Sequence, residues 1–408
     1  MITVVKECRM DRTAWRPFLE RWSEEWLAVR EEEPLPFEEP ITGNWLGYAP
    51  ASDAQVAEAE ARLGRTLPPS FREFLLTTDG WRRAGVFGGH LVPAEDLGWL
   101  RDLEPMWCQA YEEPDEWEDD EDEDADPDDE DDDEEAGLLG RALMISRDAD
   151  AGVLFLDPDD VDEHGEWAAY ELFSWSGMGP QRHGSFYELM YDLYAGFHAL
   201  DRPQCQTQRE WDEKVEQARL ASLAGEVDGP LAVLAEAARF GRSRAMFLLF
   251  QMRILLGDHE AGQAIQSALR HGKTQPTWRP DEDLLTAEVL PALLPEHELA
   301  ARHCSLSTLD ALAQFGSDTV RPLTSGFPER AAEPGFRVRF GNAEFDAAVR
   351  AAVAAPGADP WPLLREALTV WRPMNEDHIA PIALLADPEV AALITPERGR
   401  EILATRRG

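Results

Sequence analysis

The sequence is poor in basic side chains relative to acidic ones. Its 408 residues include 38 lysines and arginines against 80 aspartates and glutamates, and the formal net charge is −42 at pH 7. A chain this acidic repels phosphate, which argues against a protein that binds nucleic acid or an anionic membrane. Cationic partners are the natural complement of this charge. Only 3 of the basic residues are lysine, a usage that we associate with GC-rich bacterial genomes.

Cysteines and long apolar runs are also scarce. The four cysteines lie far apart and form no C-x-x-C pair: Cys8, Cys108, Cys205 and Cys304. Two disulfides could connect them, but the spacing favours reduced thiols in a cytosolic protein. The N-terminal residues lack the apolar stretch of a signal peptide, and no run approaches the roughly 18 apolar residues of a membrane span. We therefore expect a soluble, cytoplasmic protein.

The chain has enough apolar surface for more than one core. Hydrophobic residues make up 44% of the sequence, and its length is typical of two or three domains. A first helix is predicted over residues 13–30, whose apolar positions recur at helical spacing: Trp15, Phe18, Leu19, Trp22 and Trp26. This stripe could bind a partner, but we favour a helix docked on the next domain. Residues 31–40 hold three prolines, so residues 1–44 are predicted to be an N-terminal helix and linker.

Two short helices are predicted between Gly47 and Trp81. The first begins at Ser52 with the spacing of a capping box and stops at Gly64. The second opens with a proline pair, which a first helical turn tolerates because it does not use those N–H groups. Its apolar face follows the i, i+3, i+4, i+7 pattern: Phe71, Phe74, Leu75 and Thr78. Nothing in this helix pair is chemically reactive, so it is a signature of fold and not of activity.

Beyond an acidic run at residues 112–135, the periodicity changes to that of strands. Three short apolar segments bounded by Asp, Pro and Gly are predicted strands: residues 141–146, 152–157 and 166–175. A helix with an apolar stripe is predicted at residues 185–201. Helices packed on a mostly antiparallel sheet give an α+β domain, which we place at residues 45–205.

Two blocks of this region resemble the SUKH superfamily, the Smi/Knr-type domain of fungal cell-wall regulators and bacterial toxin-immunity proteins. The first block contains Leu63-Gly64, Leu67-Pro68, Phe71-x-x-Phe74-Leu75 and Gly80-Trp81. The second contains Gly165-Glu166-Trp167, Ser174-Trp175 and Ser185-Phe186-x-x-Leu189. The resemblance covers about residues 45–200 and implies a stoichiometric binding protein. Toxin immunity without turnover is the first role that it implies, and a regulatory scaffold of the cell-wall-regulator type is the alternative.

The acidic run is the most unusual part of the sequence, because 20 of its 24 residues are Asp or Glu and none is basic. Such a run repels itself and has little apolar surface to bury, so we expect a disordered insert. A flexible polyanion can occupy the basic cleft of a toxin that cuts nucleic acid; a solvated loop without a role is the simpler interpretation. The residues predicted to contact the partner are Glu116, Trp117, Glu118, Asp119, Asp120, Glu121, Asp122, Asp128, Asp129, Glu130 and Asp131.

Three tryptophans match positions of the resembled superfamily: Trp81, Trp167 and Trp175. In a sheet with one covered face such residues are mostly core anchors, although exposed aromatic residues are favoured at binding hot spots. We predict that Trp81 and Trp167 lie in the core. Trp175 is the exception, since Ser176-Gly177 opens a loop beside it. We therefore predict that Trp175 contacts the partner.

From about Thr207 the strand signals stop, and residues 206–408 are predicted to be α-helical. Helical patterns follow one another, and most of them end at a glycine. The helix ends at Gly241 and Gly272 are 31 residues apart, which is near the period of helix-pair repeats, but no third copy follows. We expect a short repeat-like array and assign no repeat family.

Candidate catalytic and metal-binding motifs lack the residues that their chemistry needs. His297-Glu298 approaches H-E-x-x-H, but Ala301 stands where the second histidine belongs. Residues 148–152 lack the distal ligands of a calcium loop and are predicted to form a hairpin turn. Residues 241–245 lack the preceding strand of a nucleophile elbow. We predict no catalytic residue, metal or cofactor. The expected partner is a protein, a cationic toxin domain, and neither nucleic acid nor a membrane.

Overall fold

The computed structural model divides the chain into two compact units, Met1–Pro203 and Gln204–Gly408. The structure describes residues 11–29, 41, 43–112, 137–201, 203–270, 278–355 and 359–407. The first unit combines helices with an antiparallel sheet, and the second is built of helices. The predicted α+β class and the helical character of the C-terminal region are thus confirmed.

The secondary structure of the first unit alternates helices with short strands. Its helices are α1 (Arg12–Val29), α2 (Asp53–Leu63), α3 (Pro69–Leu75), α4 (Leu100–Leu103), α5 (Pro105–Glu112) and α6 (Phe186–Asp201), with a helical turn at 137–141 and a 3-10 turn at Ala94–Asp96. Its strands are β1 (His90–Leu91), β2 (Gly98–Trp99), β3 (Leu143–Met144), β4 (Ser146–Arg147), β5 (Gly152–Val161), β6 (Trp167–Phe173) and β7 (Gln181–His183). The helices predicted within 47–81 and at 185–201 are confirmed.

Five of these strands form the main sheet in the order β2-β3-β5-β6-β7, with every neighbouring pair antiparallel. Strands β1 and β4 pair separately. Phe155 of β5 lies opposite Tyr170 of β6, and their rings stack with centroids 5.2 Å apart. The register between β5 and β6 shifts between Asp157 and Val161, so β5 bends at that end.

Local signals in the sequence set both ends of α2. The Ser52 hydroxyl accepts a hydrogen bond from the Gln55 backbone N–H, and the Gln55 side chain accepts one from the Ser52 backbone N–H at 2.9 Å. Gly64 ends the helix with a φ of 68°, a conformation that glycine adopts without steric cost. The predicted capping box and helix stop are both present.

Helix α1 packs into the core of the first unit through its aromatic stripe. Trp15 and Trp22 are fully buried. The Trp15 ring lies 5.4 Å from Phe74 and 5.7 Å from Phe186, and its Nε1–H donates to the Ser70 carbonyl at 3.0 Å. The stripe is therefore a core face, as in the favoured interpretation of the sequence.

Helices of varied length make up the second unit. They are α7 (Gln206–Ala224), α8 (Asp228–Arg239), α9 (Ser243–Leu255), α10 (Ala261–Leu269), α11 (Glu282–Leu284), α12 (Leu290–Ala292), α13 (Leu294–Arg302), α14 (Thr308–Phe315), α15 (Arg321–Thr324), α16 (Phe327–Ala331), α17 (Ala343–Val353), α18 (Pro360–Ala367), α19 (Pro388–Ala391) and α20 (Pro396–Ala404). A π-helical turn joins α11 to α12, and 3-10 turns lie at Leu368–Val370 and Ile382–Ala386. No helix in the described ranges is long and apolar enough to cross a membrane. No disulfide joins two of the three described cysteines.

Buried polar groups hold residues 375–383, an irregular segment and the start of the following 3-10 turn, against the helices of the second unit. The fully buried Gln251 side chain donates to the Asp377 carbonyl at 2.7 Å and accepts from the Ile379 N–H at 2.9 Å. Glu288, also fully buried, lies on the π-helical turn and accepts from the Ala383 N–H at 2.9 Å. These side chains replace the regular backbone bonds that the segment lacks.

Three strands differ from the sequence-based expectation. β1, β2 and β7 lie outside the three segments predicted as strands, although β1 falls in a stretch, residues 85–93, whose sequence indicates extended backbone. Each has only two or three residues, so the alternation of apolar and polar side chains that marks a strand cannot develop. Their pairing with distant partners, such as Gly98 opposite Met144, is what makes them strands.

Candidate functional site

Three turns meet at the end of the main sheet where β5 begins and β6 ends. They are residues 84–89, 148–151 and 174–179. The Asp150 N–H donates to the Phe87 carbonyl at 2.8 Å, and the Ser174 N–H donates to the Ala151 carbonyl at 3.1 Å. The indole Nε1–H of Trp175 donates to the Asp150 carbonyl at 2.8 Å. These bonds fix the three turns relative to one another.

An exposed aromatic cluster covers these turns. The Trp175 ring centroid lies 5.3 Å from that of Phe87 and 5.3 Å from that of Phe173. Trp175 is 54% exposed, and Met178 in the same turn is 60% exposed. We call Phe87, Phe173, Trp175 and Met178 the Trp175 surface. Because the indole N–H is already hydrogen-bonded, the ring is held in one orientation while its apolar area faces solvent.

A glycine in β5 makes room for this cluster. Gly152 lies opposite Phe173 in the ladder between β5 and β6. A Cβ atom at Gly152 would lie 2.1 Å from Cδ1 of Phe173, far inside contact distance. The Phe173 ring therefore lies across bare backbone, and any side chain at position 152 would displace it from Trp175.

The turn at 148–151 has a strained backbone. Asp148 and Ala151 have φ angles of 55° and 49°, in the left-handed region that non-glycine residues seldom adopt. Each such residue costs about 1–3 kcal/mol and persists only where the surroundings enforce it. Gly89 packs so closely that a Cβ there would lie 2.1 Å from the Arg147 carbonyl oxygen. The predicted hairpin turn is present, and its strain is of the kind found at binding sites.

Two aspartates lie on the turn whose backbone hydrogen-bonds Trp175 and Phe87. Asp148 and Asp150 are both exposed, and the Asp148 carboxylate lies 3.4 Å from Nδ1 of His90. Asp150 forms no ion pair with any residue in the described part of the chain. An exposed aromatic ring beside negative charge is a setting that attracts cations.

The other two tryptophans of the resembled blocks are core residues. Trp81 is fully buried and Trp167 is 6% exposed, so the prediction for both is confirmed. Trp175 is the exposed exception that the sequence indicated, and its role in binding stays a prediction. Neither Phe87 nor the aspartates at 148 and 150 were predicted to contact the partner. The position of Phe87, an aromatic residue within a glycine-rich turn, is the sequence feature that could have indicated it.

The acidic candidates between Glu116 and Asp131 lie outside the described residues. On one side of them α5 ends at Glu112; on the other, the helical turn at 137–141 leads to Arg141, whose guanidinium donates two hydrogen bonds of 2.8 Å to the buried Asp157. Asp157 is five positions along β5 from Gly152, or roughly 17 Å at the rise of a strand. The structure thus places the partner of Arg141 near the middle of β5 and the Trp175 surface at the end where β5 begins.

Two further motifs considered in the sequence are explained by local structure. Nδ1 of His297 lies 2.7 Å from the Ser307 hydroxyl and 3.5 Å from the Asp310 carboxylate, at the capping box that begins α14. Residues 241–245 join α8 to α9, as the sequence indicated. These contacts explain both motifs by helix capping and helix connection.

One family model matches the chain. Residues 50–192 match the SMI1 / KNR4 family (SUKH-1), which confirms the resemblance to the SUKH superfamily for this part of the first unit. The matched region excludes α1 and the whole second unit. No curated protein and no solved structure matches the chain. SUKH domains are generally non-catalytic binding modules, and the match is compatible with immunity or with cell-wall regulation.

Proposed function

We propose that this chain, which carries a SUKH domain at residues 50–192, is a non-catalytic protein-binding protein that neutralises a bacterial toxin. Neutralisation would be stoichiometric: the protein occupies the active surface of the toxin and turns over nothing. The observation that carries the proposal is the exposed yet fixed Trp175 surface on this domain. Tryptophan held rigidly at a surface is the residue type most enriched at binding hot spots.

The acidic run supplies a second element of the proposal. Toxins that cut nucleic acid need a positively charged cleft for phosphate, and a segment with 20 carboxylates is complementary to it. Such complementarity acts chiefly on the association rate, because long-range attraction steers the encounter. The toxin of this proposal is therefore a basic protein, and the run is the segment that reaches its cleft.

Growth protection tests the proposed function. The proposal predicts a toxin gene beside the gene of this chain; the two proteins are expressed together, and growth is compared with that of cells that express either protein alone. We expect growth to be restored only by co-expression, and the purified proteins to form a complex of fixed stoichiometry. A chain without such a neighbour, whose loss impairs growth in the absence of any toxin, contradicts immunity. That result favours the alternative, a regulatory scaffold that recruits partners for cell-wall control.

Deleting residues 112–135 is expected to slow association with the toxin. The deletion changes the formal charge from −42 to −22, because 20 acidic residues are removed. At low salt we expect the association rate constant to fall about tenfold or more, and its dependence on ionic strength to flatten. Stopped-flow mixing over a series of salt concentrations measures both effects. The matched control replaces the run by a Gly/Ser segment of equal length. If the association rate constant of the deletion variant is unchanged at low salt, the steering role is contradicted.

A further inference from the structure

The Trp175 surface has the chemistry of a site for a cationic side chain. The two ring neighbours of Trp175 are Phe173, tilted by 32°, and Phe87, which meets it nearly edge-on at 68°. More than half of the Trp175 residue surface still faces solvent, at 54%. An exposed indole face is the best aromatic acceptor for a cation. No cation in the described part of the chain lies over this ring.

The two aspartates on the turn that holds Trp175 favour positive charge at this surface. Asp148 and Asp150 are exposed on the strained turn, and the Asp150 carbonyl itself holds the Trp175 indole. The ring and the backbone of this turn are therefore joined in one hydrogen-bonded unit. Binding a cation here requires little ordering of the backbone, which lowers the entropic cost of the complex.

Both kinds of cationic side chain lie over aromatic rings in the described part of the chain, and Lys214 lies 4.0 Å from the Trp211 ring centroid. Arg16 lies over the Trp45 ring at 4.1 Å from its centroid, and Arg82 lies over the Tyr48 ring at 4.0 Å. Arg398 lies over the Trp361 ring at 4.9 Å. A planar guanidinium can stack on an aromatic face and still pair in bidentate fashion with a carboxylate, which an ammonium group cannot do.

We infer that the Trp175 surface binds an arginine side chain of the partner, stacked on the Trp175 ring and paired with Asp148 and Asp150. This inference rests on the proposed function, because it names the chemistry that the toxin presents to the SUKH domain. The rest of the contact is apolar: Met178 and Phe87 cover the aliphatic stem of the arginine. The Trp175 surface thus recognises an arginine within an exposed loop of a basic protein.

A peptide titration tests the inference without any toxin. The probes are three blocked pentapeptides of glycine and serine, with arginine, lysine or citrulline at the centre. The full chain is labelled with 5-fluorotryptophan, and the Trp175→Phe variant assigns the Trp175 fluorine signal. At about 150 mM salt, where exposed charges are screened beyond a Debye length, we expect the arginine peptide to shift this signal saturably. We expect at least threefold weaker binding of the lysine peptide and no shift with citrulline.

Two internal controls separate this site from general attraction to an acidic chain. Trp117 lies within the acidic run, so its fluorine signal reports peptide that binds there. The Asp148→Asn/Asp150→Asn double variant should weaken arginine binding at least threefold, whereas Glu163→Gln, which removes an exposed carboxylate elsewhere in the unit, should not. Equal shifts with arginine and citrulline, no shift at all, or unchanged affinity in the double variant overturns the inference.

The growth assay then connects the site to the toxin. Trp175→Ala is expected to weaken the complex about 30-fold or more, as at a hot spot, and to lose protection. Met106→Ala removes a side chain of the same unit that is 75% exposed and should retain protection. If the arginine peptide binds but the chain protects no cell, the arginine site stands and immunity fails. If the chain protects but the peptide does not bind, immunity stands and the arginine site fails.

Discussion

Replacing Trp15 by alanine is expected to lower the free energy of unfolding of the first unit by about 3–5 kcal/mol. Trp15 is fully buried, contacts the rings of Phe74 and Phe186, and donates a hydrogen bond to the Ser70 carbonyl. The substitution leaves a large cavity and removes the indole donor from the Ser70 carbonyl. Because domains are typically stable by only about 5–15 kcal/mol, a large part of the stability is lost.

Thermal and urea unfolding measure this effect, with Glu24→Ala as the matched control. Glu24 lies on the exposed face of the same helix, so its removal should change the midpoint little. A Trp15→Ala protein as stable as the control would show that α1 is dispensable. The expected result has a practical consequence, because α1 lies outside the matched region at residues 50–192. A fragment trimmed to that match should fold poorly.

Replacing Arg407 by alanine is expected to destabilise the second unit by a comparable amount, about 3–5 kcal/mol. Arg407 is 3% exposed, and its guanidinium donates to five backbone carbonyls: those of Ser222, Ile379, Ile402, Leu403 and Thr405. Burial lowers the pKa of Arg407 to about 10, so the side chain is still charged at neutral pH. Alanine leaves all five carbonyls without this donor.

The neighbouring arginine provides the control for this prediction. Arg406 is exposed, and Arg406→Ala removes the same charge without opening the core. Arg407→Lys keeps the charge but has three donors on one nitrogen in place of a planar fork, so we expect it to recover only part of the stability. Urea unfolding followed by circular dichroism compares the three variants. Equal midpoints for Arg406→Ala and Arg407→Ala would contradict the structural role.

Elements that depend on neighbouring residues could be predicted from the sequence, and elements that depend on distant contacts could not. The Ser52 capping box and the Gly64 stop involve residues three or four positions apart, and both are present. Strand β2 exists only through its pairing with β3, more than forty positions away, so no local pattern indicated it. The π-helical turn at Leu285–Val289 likewise has tertiary contacts that no local pattern indicates, such as the hydrogen bond that Glu288 accepts from the Ala383 N–H.

In the candidate site, too, only the features set by neighbouring residues could be predicted from the sequence. Trp175 could be selected because a tryptophan followed by Ser-Gly indicates an exposed loop. Its neighbour Phe87 lies 88 positions earlier, in a turn whose sequence gives no sign of the contact. The strain at Asp148 and Ala151 has no sequence signal either, since non-glycine residues seldom adopt left-handed angles. The proposed arginine site depends on contacts among three turns that lie far apart in the sequence.

The length of β5 has a consequence for how the two proposed contacts combine. Arg141, which follows the acidic run in the chain, and the Trp175 surface are attached to one rigid strand at points roughly 17 Å apart. Substitutions that far apart, with no shared neighbour, are normally additive to within about 0.5 kcal/mol. A thermodynamic cycle of the 112–135 deletion and Trp175→Ala should therefore show no coupling in the free energy of toxin binding. Coupling well above that limit would mean that the acidic run reaches back across the sheet to the tryptophan.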